Sequence, residues 1–172
     1  TRVHQIFWYN PTPPNDPTTP TYALSLLMQS ATATGMTLLM TAVVADAVEC
    51  VSVLLSRAFS VCDLQFSCFL DQRPRDGETA LTMALAKRHP RCVWMLFEYG
   101  ARCLIGEDSS SWPLCACVTA DHDVLFRMCW VRVSRYLRTV HGLSVLRLCC
   151  AHHASRCLRI VLEDPAVRDT IP

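Results

Sequence analysis

Cysteines and histidines are the side chains of this sequence best suited to chemistry, and many of them fall in two groups. The chain has 11 cysteines and 6 histidines in 172 residues. The two groups are Cys115, Cys117 and His122, and then Cys149, Cys150, His152, His153 and Cys157. Thiolate and imidazole are ligands of zinc, and a thiolate beside an imidazole is also a nucleophile. A metal site and a cysteine nucleophile are therefore the two chemistries to weigh.

A run of arginines without acidic residues is the second feature with chemical potential. Seven arginines and no Asp or Glu lie between Arg127 and Leu162, although the whole chain has a net charge of only +1. Guanidinium groups suit phosphate and carboxylate partners, so RNA or an acidic protein surface is a candidate partner. Six arginines make up this candidate patch: Arg132, Arg135, Arg138, Arg147, Arg156 and Arg159. The alternatives are a solvated face without a partner and a bias of genome base composition.

The composition is that of a folded domain, with 51% hydrophobic and 18% charged residues. No run reaches the roughly 18 to 20 apolar residues that span a bilayer, because Asp46 and Glu49 interrupt the most apolar region, 38–55. The cysteine count is odd and no secretory signal is visible. We therefore expect free thiols in a reducing compartment, either cytoplasm, nucleus or mitochondrial matrix.

The first 20 residues differ from the remainder of the chain. Five prolines between Pro11 and Pro20 predict an extended arm over residues 1–21. The aromatic residues 7–9 indicate that this arm is held against another surface. A short helix is predicted over Tyr22 to Ser30, where it would cap the domain that we expect to extend over residues 22–172.

One pattern of small and large residues recurs from Gly35 onward. Its clearest copy contains Gly77, Thr79, Leu81, Ala84, Val93, Leu96, Gly100 and Ala101. This copy resembles the ankyrin repeat, in which Gly-x-Thr-Pro-Leu-His-x-Ala-Ala, a turn and Val-x-x-Leu-Leu-x-x-Gly-Ala follow one another. The resemblance implies an all-α solenoid of helix-turn-helix units.

Three other copies bring the predicted number of repeats to four. One starts near residue 35, 42 residues before Gly77, with about nine extra residues between Phe59 and Asp76. The others start near residues 110 and 142 and are less regular, because Trp112 and Ser144 stand where the pattern has its opening Thr. The resemblance covers roughly residues 35–166.

The repeat register predicts local structure. Thr37 and Thr79 are placed to cap helices with their hydroxyls, and Gly100 is placed to end a helix in a left-handed conformation. The first helix of the second repeat should end near His89 and Pro90, because proline cannot continue a helix. Small residues at Ala42, Ala84, Cys117 and Cys149 should let helices approach, and Leu54, Leu96 and Val161 should fill the layers between repeats.

The same register favours packing over chemistry for the cysteines. Cys50, Cys92 and Cys157 share one repeat position, and Cys117 and Cys149 share another. A buried free cysteine behaves as a small hydrophobe. We therefore predict no catalytic residue, no metal ligand and no cofactor, and we do not expect an enzyme.

Protein recognition through the concave face and the turn tips is the function that the resemblance implies. Contact positions in this family flank the glycine of each repeat and lie at the end of its first helix. Carried over by register, these residues are Arg75, Glu78, Lys87, Asp108, Ser111, His141 and His152. The expected function is that of an interaction scaffold or adaptor.

Two other functions compete with a free-standing adaptor. The arginine run, the proline-rich arm and the irregular repeats favour a structural subunit of a larger assembly, such as a ribonucleoprotein or an organellar complex. Residues 145–154, with Ile171 and Pro172 at the end, also resemble the SOCS box that follows ankyrin repeats in some ubiquitin-ligase adaptors. We prefer a fourth repeat there, because the spacing is correct and Val145 stands where the box has a small or hydroxyl residue.

Overall fold

Helices form the whole regular structure of the part that the computed structural model describes, which comprises residues 35–62, 66–73, 78–104 and 112–168. The ten helices in these ranges are α1 (Leu38–Val44), α2 (Val48–Cys62), α3 (Phe66–Leu70), α4 (Ala80–Ala86), α5 (Pro90–Glu98), α6 (Pro113–Thr119), α7 (Asp123–Arg132), α8 (Arg135–Ala151), α9 (Ser155–Glu163) and α10 (Pro165–Arg168). The expected all-α architecture is thereby confirmed. The predicted arm and the predicted helix over Tyr22 to Ser30 lie outside the described ranges.

Four turns of the same geometry join the helices into pairs: α1 with α2, α4 with α5, α6 with α7, and α8 with α9. Each turn contains one residue with φ between 42° and 60°, namely Asp46, Arg88, Asp121 and His153. The amide of the next residue donates a hydrogen bond, 2.9 to 3.0 Å long, to the carbonyl of Ala42, Ala84, Cys117 or Cys149. This bond is characteristic of a Schellman ending. The turns follow one another at intervals of 42, 33 and 32 residues.

Helix caps in the first two pairs follow the sequence pattern. Thr37 Oγ1 accepts a hydrogen bond from the amide of Met40, and Thr79 Oγ1 accepts one from Thr82, each at 3.2 Å. Gly100 follows α5 with φ 92°, as predicted. The predicted end of α4 near Pro90 is wrong, because α4 ends at Ala86. Pro90 is the first residue of α5, where its missing N–H costs no helical hydrogen bond.

The fourth pair begins earlier than the sequence pattern indicates. Helix α8 starts at Arg135, after Ser134 Oγ accepts a hydrogen bond from the amide of Leu137 at 3.3 Å. It continues through Gly142 and Ser144, so Ser144 is not a helix cap, although the repeat spacing predicts a copy that starts near residue 142. A Cβ atom on Gly142 would lie 2.8 Å from Val167 Cγ2 in α10. Gly142 therefore permits close packing of α10 on α8 rather than forming a turn.

A single apolar core extends along the stacked pairs. The predicted small residues Ala42, Ala84, Cys117 and Cys149 are all buried in it. Leu96 and Val161 are also fully buried, but Leu54 is only partly buried, because Val51, Leu55 and Ala58 form the inner face of α2. Part of the insertion after Phe59 forms α3, and its Phe66 ring contacts the rings of Phe59 and Tyr99 at 5.3 and 5.9 Å. None of the helices in the described ranges has the length and apolarity needed to cross a membrane.

Candidate interaction surfaces

The ends of the four first helices form a repeated exposed feature. Two residues precede each left-handed turn residue, and all eight are exposed: Val44, Ala45, Ala86, Lys87, Thr119, Ala120, Ala151 and His152. Helix α1 packs on α4, α4 on α6, and α6 on α8. The eight residues therefore follow one another along the stack, and we call them the helix-end row. Each helix pair contributes one alanine to the row, and so small a side chain obstructs the approach of a partner little.

The predicted contact residues have different environments in the structure. Lys87 and His152 belong to the helix-end row, and Glu78 is exposed just before the Thr79 cap. His141 is only partly exposed, and its ring packs edge-on against Trp112 at a centroid distance of 5.0 Å. Arg75, Asp108 and Ser111 lie outside the described residues. The structure thus brings Lys87 and His152 onto one repeated surface, whereas His141 packs within the chain.

Two aspartates in the left-handed turns connect successive repeats. Asp121 Oδ1 accepts hydrogen bonds from the amides of Arg156 and Cys157, at 3.0 and 3.1 Å. These amides lie in the first turn of α9, whose own cap residue, Ala154, provides no side-chain acceptor. Asp46 occupies the equivalent turn of the first repeat and accepts a hydrogen bond from the Cys92 thiol at 3.4 Å. The turn aspartates therefore hold repeats together, and the sequence pattern did not mark them.

Most of the cysteines that the sequence singled out are packed in the core. Cys92, Cys117, Cys149 and Cys157 are fully buried, but Cys50 is exposed although it shares a repeat position with Cys92. Burial, the largest cause, raises the pKa of Cys92 to about 11 and that of Cys149 to about 12. A neutral thiol is a poor nucleophile and a poor metal ligand. In the described ranges, no three His, Cys, Asp or Glu residues are grouped so that they could hold a metal ion.

The structure places the arginines of the run on different helices and in different environments. Arg132 ends α7 and Arg135 begins α8, so the two do not share a helix. Arg132 Nη2 donates to Glu98 Oε1 at 2.9 Å, and its guanidinium lies 4.9 Å from the centroid of the Trp94 ring. Four other arginines are exposed and form no ion pair with any described residue: Arg135, Arg147, Arg156 and Arg159. The candidate arginine patch for an anionic partner is therefore smaller than the sequence indicated.

Arg138, the sixth arginine, is bound to a buried carboxylate. Asp164 Oδ2 accepts hydrogen bonds from Arg138 Nη1 at 2.6 Å and from the Trp130 indole N–H at 2.7 Å. Asp164 Oδ1 accepts a third from the amide of Ala166 at 2.8 Å. Burial opposes ionisation of Asp164, but these hydrogen bonds outweigh it and lower its pKa below the usual value. We call these four residues the Asp164 cluster, and it joins α7, α8 and the segment after α9.

Comparison with protein families agrees with this architecture. The family described as "Ankyrin repeats (3 copies)" matches residues 20–107, which is half of the chain. The chain belongs to the ankyrin-repeat family. Ankyrin repeats are generally protein–protein interaction modules, and proteins built from them are typically non-enzymatic scaffolds. No curated protein sequence matches the chain.

Proposed function

We propose that this chain is a protein-binding scaffold and that its partner lies across the helix-end row. The observation that carries the proposal is the exposure of the same two positions in all four helix pairs. The core of each repeat is buried, so these positions are free to vary without loss of packing. Lys87 and His152 are the members that can carry positive charge, and the row contains no acidic residue. An acidic side chain on the partner would complement them.

The chain has a single lysine, which makes the row directly testable. Lys87 is the one lysine in the sequence, so its side chain is the one that a short amine-reactive crosslinker attaches to. Crosslinking of the endogenous protein, followed by mass spectrometry, should join Lys87 to a stoichiometric protein partner. Crosslinks from Lys87 to many proteins in substoichiometric amounts, with none dominant, would contradict the proposal.

A pair of charge reversals in one repeat provides the matched comparison. Lys87→Glu alters the helix-end row, and Arg91→Glu makes the same change of charge at an exposed position on α5. Purification of each tagged variant from native cells should show the crosslinked partner reduced at least about tenfold for Lys87→Glu, which corresponds to loss of one interfacial charge pair. Arg91→Glu should retain it. Equal retention by both variants would show that the row is not the contact surface.

A permanent subunit of a larger assembly is the second candidate, and the four exposed arginines that lack an ion pair among the described residues favour it. Arg156 and Arg159 lie on α9, and Arg135 and Arg147 lie on α8. This candidate predicts that the protein is purified from native cells in a stoichiometric complex that survives high salt. Purification as a monomer would contradict it. Residues 145–154 form the end of α8 and the same left-handed turn as in the other repeats, which favours a repeat over a SOCS box. A SOCS-box adaptor would also have to capture elongins.

A further inference from the structure

The solvent face of α8 has the residue spacing of a coiled-coil helix. Its exposed residues Tyr136, Val140, Leu143, Arg147 and Cys150 are separated by 4, 3, 4 and 3 positions. Tyr136 is 74% exposed, Val140 52% and Leu143 49%. The opposite face, with Gly142, Val145 and Cys149, is buried against the chain's own core. Apolar residues that recur every 3.5 positions are the pattern by which one helix packs along another. We call these five exposed residues the α8 seam.

The α8 seam lies where the stack of first helices stops. Cys150 directly follows the small residue Cys149, and its equivalents in the three other pairs are Val43, Leu85 and Val118. These three are at most 1% exposed, and each lies on a first helix that packs on the next first helix. Cys150 is exposed because no further pair follows within the described residues. Helix α10 contacts α8 on the Gly142 side and leaves the seam open. An open end of a repeat stack requires a cover.

We propose that the α8 seam binds an amphipathic helix of another protein, with an acidic residue opposite Arg147. Arg147 has no ion pair among the described residues, and α8 contains no Asp or Glu. A charge that becomes buried in a helix interface needs an opposite charge beside it. The seam covers 14 residue steps, about 21 Å at 1.5 Å per residue, so the partner helix needs about four turns.

A second copy of this chain is a poor occupant of the seam. Two parallel copies of α8 would place Arg147 against Arg147, and two antiparallel copies would place it among Val140 and Leu143. Either arrangement buries arginine without a carboxylate, since α8 provides none. The proposed partner is therefore a different protein, whose helix carries an acidic residue opposite Arg147. This site goes beyond the proposed function, because the seam and the helix-end row have no residue in common.

Two synthetic peptides provide the test. Both are 21-residue helices of three heptads, with Leu or Val at the first (a) and fourth (d) residue of each heptad, which would face the α8 seam. They differ only at the a residue of the central heptad, which is Glu in one peptide and Lys in the other. Fluorescence anisotropy with the full chain should show the Glu peptide binding at least about tenfold more tightly, the effect of one interfacial charge pair. Arg147→Glu should reverse this preference. Failure of both peptides to bind, or equal affinities, would overturn the proposal.

Matched variants separate the seam from the remainder of the surface. Val140→Asp should abolish peptide binding, whereas Val124→Asp, at a position on α7 that is 59% exposed, should leave it unchanged. Circular dichroism should show the same helix content for both, because neither side chain is in the core. Lys87→Glu should leave peptide binding unchanged, so the seam and the helix-end row can fail independently. Equal binding by the two Asp variants would contradict the proposed site.

Two other occupants would give different results and would overturn the proposal. A dimer seen by sedimentation that Val140→Asp dissociates would show that a second copy covers the seam. Binding to vesicles of phosphatidylserine and phosphatidylcholine that Arg147→Glu abolishes, without binding of the Glu peptide, would show that the seam contacts an anionic membrane surface.

Discussion

The second and fourth helix pairs have the same turn but are held together in different ways. In the second pair, α4 has seven residues, starts at a Thr cap and ends at a left-handed turn. In the fourth, α8 has 17 residues, and its N-terminal half is held by α10 and by Asp164, which also binds Trp130 of α7. A repeat inside the stack therefore depends on local signals and on its neighbours. A repeat at the end needs contacts of its own.

Removal of the Asp164 carboxylate should have the largest effect on stability. Asp164→Ala leaves the Arg138 guanidinium and the Trp130 N–H without their acceptor in a mostly buried setting, so we expect a loss of about 3 kcal/mol in the free energy of unfolding. Asp46→Asn removes an exposed carboxylate from the first repeat but keeps a residue that tolerates the left-handed conformation, and it should cost under about 1 kcal/mol. Urea unfolding followed by circular dichroism measures both. Equal losses would show that the fourth pair has no special dependence on the Asp164 cluster.

The Asp164 cluster also predicts how stability depends on acid. The folded-state pKa of Asp164 is lowered, so its contribution is fully present above the unfolded pKa near 3.8 and is lost as the pH falls through the folded value. In Asp164→Asn this part of the acid dependence should be absent. An unchanged acid profile in that variant would assign the acid sensitivity to other carboxylates.

Packing of α10 on α8 should give the next largest effect. Gly142→Ala introduces a Cβ at 2.8 Å from Val167 Cγ2, and overpacking of this kind costs about 1 to 3 kcal/mol, offset by up to about 1 kcal/mol of helix propensity. We expect a net loss of about 1 to 2 kcal/mol. The double variant Gly142→Ala with Val167→Ala should lose less through this contact than the sum of the two single changes. Strict additivity in urea unfolding would contradict the contact.

Alkaline pH should destabilise the core through its buried thiols. Burial raises the pKa of Cys149 to about 12, so its thiol stays protonated in the folded chain while the unfolded chain ionises above about 9. Stability is therefore present below pH 9 and falls as the pH rises towards 12, by up to about 1.4 kcal/mol per pH unit for each such thiol. Cys149→Ala should reduce the slope between pH 9 and 11. The exposed control Cys50→Ala should not, and equal slopes would refute the assignment.

Helix caps should give the smallest effect and the sharpest contrast between repeats. Thr79→Ala removes the side-chain acceptor at the start of α4 and should cost about 1 kcal/mol. Ser144→Ala changes the residue at the equivalent repeat position, which lies inside α8, and should cost nothing or stabilise by a few tenths of a kcal/mol. Thermal unfolding of the two variants is the measurement. A similar loss for Ser144→Ala would indicate that the fourth pair starts where the repeat pattern places it.

The helix-turn-helix units and their caps were predictable from the sequence wherever the signals were local. Thr37 and Thr79 each cap the helix that follows by binding an amide three residues further along the chain. Gly100 ends a helix through its own positive φ angle. The environment of the arginines was not predictable, because Arg132 meets Glu98 and Arg138 meets Asp164 across 34 and 26 residues. Arg147 belongs to the α8 seam because α8 begins as early as Arg135, which places Tyr136, Val140 and Leu143 on the same helix.

The sequence by itself determined the family, the all-helical fold and the buried small residues at Ala84 and Cys149, since each depends on residues within one repeat. Only the tertiary structure decided which aspartates hold repeats together, where α8 starts and which arginines face solvent. The physical reason is distance along the chain. A cap or a turn is closed by neighbours three to five residues away, whereas Asp121, Asp164 and Gly142 acquire their roles from partners about 25 to 36 residues away.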